Sequence, residues 1–106
     1  MSGKEKMKRD FLEREIPADW DSYNLQQRRQ YWNGNLRIPD NVGLIKRDKV
    51  CAMEIWTECF NSDPKFLKRI DSVEINNILM TIKRWRRNKS VRRYGPYGTQ
   101  KGFERV

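Results

Sequence analysis

Two apolar stripes of helical period, separated by a proline-bearing break, constrain this chain more than any other feature. Ala52, Ile55, Trp56 and Cys59 fall at i, i+3, i+4 and i+7, and Met53 and Phe60 widen the face. Ile75, Ile78, Leu79 and Ile82 repeat the spacing. Helices this short are marginal alone, so the two stripes must bury each other. The pattern predicts helices over residues 49–60, capped by Asp48, and over 72–82, where Asp71-Ser72-Val73-Glu74 reads as a capping box. Between them Ser62-Asp63-Pro64 opens a short turn with Pro64 at its first position, and Phe66 and Leu67 supply its apolar contacts.

The flanking segments are read from the same signals. Lys4 to Ile16 predicts a helix with Met7, Phe11 and Leu12 on one face, stopped by Pro17. Asp21-Ser22 offers a cap for a second helix through Leu25 to about Trp32, ended by Asn33-Gly34. In that helix Leu25 and Trp32 face inward, with Arg28 and Arg29 between solvent and core. Residues 33–43 have loop chemistry, and Val42–Ile45 suits a minor strand. From Trp85 onward the helical pattern fails. Two polar, partly alternating segments flank Gly95-Pro96-Tyr97-Gly98, which predicts a hairpin over about residues 89–105. An isolated hairpin is barely stable, so it must lean on the helices. The expected fold class is therefore α+β: a small helical domain with a C-terminal two-stranded hairpin, winged-helix-like in order. Residues 1–16 form an N-terminal helix or linker, and 17–106 the winged-helix-like, DNA-binding unit.

Charge then selects a partner. The net charge is +9, and residues 83–106 hold nine basic side chains against Glu104 alone. The rest of the chain is nearly balanced. A field this local attracts a polyanion to one surface. A purely solubilising basic tail is the plainer alternative, but such tails avoid aromatics. Here Trp85, Tyr94, Tyr97 and Phe103 alternate with the cations.

Other function classes lack their residues. Cys51 and Cys59 are eight residues apart in one predicted helix, a rise of about 12 Å, whereas a disulfide needs Cα atoms about 4.4–6.8 Å apart. Two free thiols suit a reducing cytosol. With no His and two Cys, a zinc site has too few ligands, and no cofactor is expected. No apolar run approaches the roughly 20 residues of a membrane span, so a cytoplasmic chain without a membrane partner is expected. Glu54 and Glu58 are spaced as paired carboxylates in metal sites sometimes are, but no third ligand has matching spacing. They read as a solvated face. Nothing assembles a nucleophile, a base and an orienting group, so neither catalysis nor a small-molecule substrate is expected.

Three blocks of residues resemble a known family. They are Arg47-Asp48-Lys49-Val50-Cys51-Ala52-Met53-Glu54-Ile55-Trp56, Asp71-Ser72-Val73-Glu74-Ile75-Asn76-Asn77-Ile78-Leu79, and the ending from Tyr94-Gly95-Pro96-Tyr97-Gly98 to Gly102-Phe103-Glu104-Arg105. With Pro17-Ala18-Asp19-Trp20 and Arg28-Arg29-Gln30-Tyr31 upstream, they resemble the C-terminal region of the virulence-associated E (VapE or VirE) proteins of phages and mobile elements. The likeness spans about residues 12–106. It implies a module of a primase-helicase-like replication protein, with the ATPase core of a parent protein as a possible partner. The G-x-x-x-x-G-K-[ST] phosphate cradle of that core is absent from this chain.

DNA, duplex or single-stranded, is the expected partner, gripped by Lys83, Arg84, Arg86, Arg87, Lys89, Arg92, Arg93 and Lys101 through phosphate contacts. On a strand Arg92 and Arg93 point to opposite faces, so one of them is free to brace the helices. Tyr94 is expected to anchor the hairpin to the core and Tyr97 to lie exposed at its tip, where it could stack on a base. Asn76 and Asn77, on the helix in the recognition position, are candidates for reading adenine edges, although two solvated Asn are the plainer reading. RNA binding and a protein-interaction or oligomerisation role are the alternatives.

Overall fold

The computed structural model describes residues 3–106, with side chains from Lys8 onward; the expectation for Met7 lies outside the described residues. Helix α1 (Gly3–Glu13) ends three residues earlier than Pro17 suggested, because Glu15–Pro17 is strand β1. This strand pairs antiparallel with β2 (Leu44–Lys46), with Ile16 opposite Ile45. Pro17 is tolerated at the end of a two-stranded edge. Residues 1–16 contribute Phe11, Leu12 and Ile16 to the buried interior.

Helix α2 (Leu25–Trp32) is capped by Asn24, not by Asp21-Ser22, which lies in a single 3-10 turn over Trp20–Ser22. The Asn24 side chain accepts from the Gln27 N–H at 2.8 Å while Gln27 accepts from the Asn24 N–H at 2.9 Å. The helix stops at Asn33, and Gly34 follows at φ +77, a conformation that favours glycine.

The predicted helix from Lys49 is corrected. Lys49–Val50 is strand β3, and α3 (Ala52–Glu54) begins after Cys51 and continues as a π-helix over Ile55–Cys59. The Phe60 N–H donates to the Ile55 carbonyl at 3.1 Å, a five-residue step. Along α3 and this wider turn Glu54, Ile55, Thr57 and Glu58 are buried while Ala52, Trp56 and Cys59 are half-buried. A 3-10 turn over Pro64–Phe66 follows, capped by the Asp63 carboxylate on the Lys65 N–H at 3.0 Å. Leu67 is half-buried, but Phe66 projects into solvent.

Helix α4 (Arg69–Thr81) starts one turn before the expected box. Asp71 is therefore its third residue, and its carboxylate accepts the Lys68 N–H at 3.1 Å. Ile75 and Leu79 face inward onto Ile55 and Phe11, Leu12, Val50, Trp85 and Phe103, which together form the main core. A second, aromatic cluster of Ile16, Trp20 and Tyr23 packs with Tyr31 and Trp32. Trp20 lies 5.3–5.4 Å from the rings of Tyr23, Tyr31 and Trp32.

After α4 the chain runs into the C-terminal arm. Strands β4 (Trp85–Arg87) and β7 (Phe103–Arg105) pair antiparallel, and β3 adds on the far side of β7, giving the order β3-β7-β4. Further out, β5 (Arg92–Arg93) pairs with β6 (Thr99–Gln100). The arm is thus one long hairpin, interrupted at residues 88–91 and starting earlier than expected. Helices precede a C-terminal hairpin in an α+β domain.

Candidate nucleic-acid interface

The arm leaves α4 through a tight turn. Arg84 adopts φ +72, and its carbonyl accepts the Val106 N–H at 2.7 Å, tying the chain end to the start of the arm. Trp85 is buried, so β4 is pinned by one side chain while Arg86 and Arg87 remain exposed. Asn88 is buried and donates its N–H to the Gly102 carbonyl at 2.8 Å. Residues 89–91 then loop out, all exposed.

Register settles the two-faced arginines. Arg92 stands opposite Gln100, and Gln100 Nε2 reaches the Met53 sulfur at 3.6 Å, so this face looks onto α3. Arg93 stands opposite the exposed Thr99 on the outer face. Arg92 sits 3.7 Å from the exposed Asp48, in the link between β2 and β3, so its ion pair is with that link and not with a helix.

On and next to the arm, Lys83, Arg84, Arg87, Lys89, Arg93 and Lys101 are exposed, with no acidic group within 4 Å among the described residues; Arg9, Arg14, Arg37, Lys68 and Arg69 are exposed in the same way elsewhere. Arg86 pairs with Glu104 at 3.0 Å across β4–β7, and Arg105 with Glu13 at 3.2 Å. Arg28 and Arg47 behave differently: each is 1% exposed and internally neutralised. Arg28 Nη1 lies 3.0 Å from both Glu54 and Glu58, and its Nη2 donates to the Trp20 carbonyl at 3.0 Å. Arg47 Nη1 is 3.2 Å from Glu54.

This cluster corrects three expectations. Glu54 and Glu58 are not a solvated face; both are buried, where two guanidiniums neutralise them. Arg28, not Leu25, is the fully buried side chain of α2. Tyr97 is not exposed at the tip. It is half-buried, its hydroxyl donates to Glu58 Oε2 at 2.6 Å, and its ring lies 5.6 Å from the Arg28 guanidinium. Tyr94 is buried as the anchor it was expected to be.

The electrostatics follow from burial. Desolvation pulls the Arg28 pKa down, but the carboxylates of Glu58 and Glu54 outweigh it and the net shift is upward. Burial pushes the Glu54 carboxyl up despite Arg47, and burial beside Glu58 pushes the Tyr97 phenol up. Glycine makes the clamp possible at two positions. Gly95 has φ +56, and a Cβ there would collide with Arg28 Nη2; a Cβ on Gly102 would collide with the Tyr94 hydroxyl and the Val50 carbonyl.

Sequence reasoning missed this cluster, since its partners come from three separate segments. Its one local trace is Arg28, three residues after Leu25 and four before Trp32, on the inward side of α2. Of the base-reading candidates, Asn77 is exposed and Asn76 half-buried on α4. Among the described residues, no group of three His, Cys, Asp or Glu side chains is placed to hold a metal ion, and no helix is long and apolar enough to cross a membrane. No protein-family model matches this chain, and no curated protein matches it.

Proposed function

We propose that this chain is an accessory module that grips duplex DNA by its phosphate backbone along the C-terminal arm. The observation that carries the reading is the concentration of six exposed cations without acidic partners, Lys83, Arg84, Arg87, Lys89, Arg93 and Lys101, within 19 residues of one segment, clamped to the π-helix by the Tyr97–Glu58 hydrogen bond. A held arm presents its charges without the ordering cost of a loose tail. Cations on the unpaired edge of β4 also discourage strand addition, and that explains Arg86 and Arg87 without DNA. It does not explain Lys83, Lys89 or Lys101, which lie outside that strand.

The inward turn of Tyr94 and Tyr97 favours duplex over single strand. The arm's aromatics are all buried or half-buried, so it offers no open platform on which unpaired bases would stack. Within the resemblance to virulence-associated E proteins, the module would lend DNA grip to a replication ATPase and perform no chemistry itself. The free thiols of Cys51 and Cys59 suit a cytoplasmic, reducing setting.

Anisotropy titrations with labelled duplex DNA, single-stranded DNA and duplex RNA at several salt concentrations test this. Six phosphate contacts correspond to a slope of log K against log salt of about −5. Each Gln replacement among Arg87, Lys89, Arg93 and Lys101 should flatten it by roughly one unit. Tighter binding to single strands or RNA, or a quadruple Gln variant that binds like the parent, would refute the proposal.

A further inference from the structure

Helix α4 is apolar on two opposite sides. Ile75 and Leu79 fill the core, yet Ile70, Val73 and Met80 are 72%, 48% and 60% exposed, and Phe66 just upstream is 62% exposed. With the exposed Asn77, the α4 positions Ile70, Val73, Asn77 and Met80 are spaced 3, 4 and 3 residues apart. That is the a/d repeat of a coiled-coil seam: Ile70 and Asn77 at a, Val73 and Met80 at d. A globular helix needs one buried stripe, and the core has already taken it.

We infer that this outer seam pairs with the same seam of a second copy, the two α4 helices lying parallel. Two observations choose the second copy and the direction. In a parallel pair the a positions meet each other, so Asn77 faces Asn77 of the other copy and each amide gains a hydrogen-bonding partner. A lone Asn at one a position is the device that specifies such a register. The flanking positions agree: Arg69, at g, meets Glu74 of the other copy at e, five residues on, and both side chains are exposed in the single chain. Antiparallel pairing fails both counts. It sets Asn77 against Val73, stranding a polar group, and takes Glu74 of the other copy away from Arg69.

A membrane surface is the weaker occupant. Asn77 splits the stripe at its middle, and the nearby cations Lys65, Lys68, Lys83 and Arg84 sit at its two ends instead of along both flanks. The seam spans about 15 Å between Ile70 and Met80 at 1.5 Å per residue, so the association is expected to be reversible. Parallel pairing would also place the two Lys83-Arg84 turns, where the basic arms begin, at the same end of the dimer.

The dimer does not rest on DNA binding, and the test is made without DNA. Sedimentation velocity of the full chain across a concentration series should show a monomer–dimer equilibrium. Because each copy carries +9, added salt should favour dimerisation while it weakens DNA binding, so failures of the two proposals separate. Val73→Ser/Met80→Ser, both on the exposed face, should raise the dimer dissociation constant about tenfold or more, with a melting curve that matches the parent's at concentrations where both are monomeric. Ile70→Cys and Asn77→Cys should each oxidise to a disulfide-linked dimer, as only a parallel register allows. The inference is overturned by a chain that stays monomeric, by a dimer indifferent to the Val73/Met80 changes, or by cysteine variants that fail to link. Binding to anionic phospholipid vesicles that is lost in the Val73/Met80 variant would reassign the seam to a membrane and overturn it equally.

Discussion

Arg28→Gln separates a structural cation from a DNA-binding one. The side chain is buried, neutralises Glu54 and Glu58 at 3.0 Å each, and caps the Trp20 carbonyl. Its guanidinium also lies 4.6 Å from the Trp20 ring. The substitution leaves Glu54 with Arg47 at 3.2 Å and takes the guanidinium away from Glu58. Removing one partner of a buried ion pair costs about 3–5 kcal/mol, against a total of about 5–15 kcal/mol for a domain. At about 4–8 °C per kcal/mol for a domain of this size, the melting temperature should fall by roughly 12–40 °C.

Acid should narrow that deficit, and the sign can be worked out. A carboxyl whose folded pKa lies above its unfolded value contributes stability that is fully present below the unfolded pKa. That contribution is lost as pH rises through the folded pKa. Burial already places Glu54 in this class, and losing Arg28 pushes it further. Arg28→Gln should therefore recover relative to the parent as pH falls from neutral toward about 4, the ordinary carboxyl range. Thermal melts by circular dichroism at several pH values measure this, with Arg29→Gln as control. Arg29 makes only a 3.5 Å contact to the Ser62 carbonyl, and its loss should cost under about 1 kcal/mol. The reasoning fails if Arg28→Gln melts within a few degrees of the parent, or if the folded variant shows the flattened salt slope expected of Arg93→Gln.

Gly102→Ala should destabilise by about 1–3 kcal/mol or more, since the new methyl meets the Val50 carbonyl, a backbone atom of β3 that cannot step aside; denaturant melts would show it, and Gly98→Ala tests a different term, since its space is open and only its φ of +74 is strained. Burial pushes the Cys51 thiol up to about 12 and the Cys59 thiol up to about 11. Both should stay protonated near pH 8 and react slowly with a thiol reagent in the native protein, then fully on unfolding; rapid native labelling of Cys51 would contradict its burial.

What the sequence determined by itself is what depends on neighbours a few residues away. The inward stripe Ile75, Leu79 and Ile82, the stop at Asn33-Gly34, the turn at Asp63-Pro64, and the loss of the helical pattern from Trp85 onward are all local periodicity or turn chemistry. The concentration of charge in residues 83–106 needs only counting. Tertiary structure alone decided the rest, because the deciding partner lies far along the chain. Strands β1 and β3 exist because β2 and β7 come alongside them, and neither Glu15–Pro17 nor Lys49–Val50 has a strand pattern of its own. Glu54 and Glu58 would face water on an isolated helix; they face inward because Arg28, 26 and 30 residues before them, and Arg47 are there to meet them. The same applies to the site. The sequence counts nine cations after Thr81, but only the packed arm distinguishes those held by Glu104, Asp48 and Glu13 from those open to a phosphate. A charge's availability is set by what lies within a few ångströms in space, and that distance is not written in sequence separation.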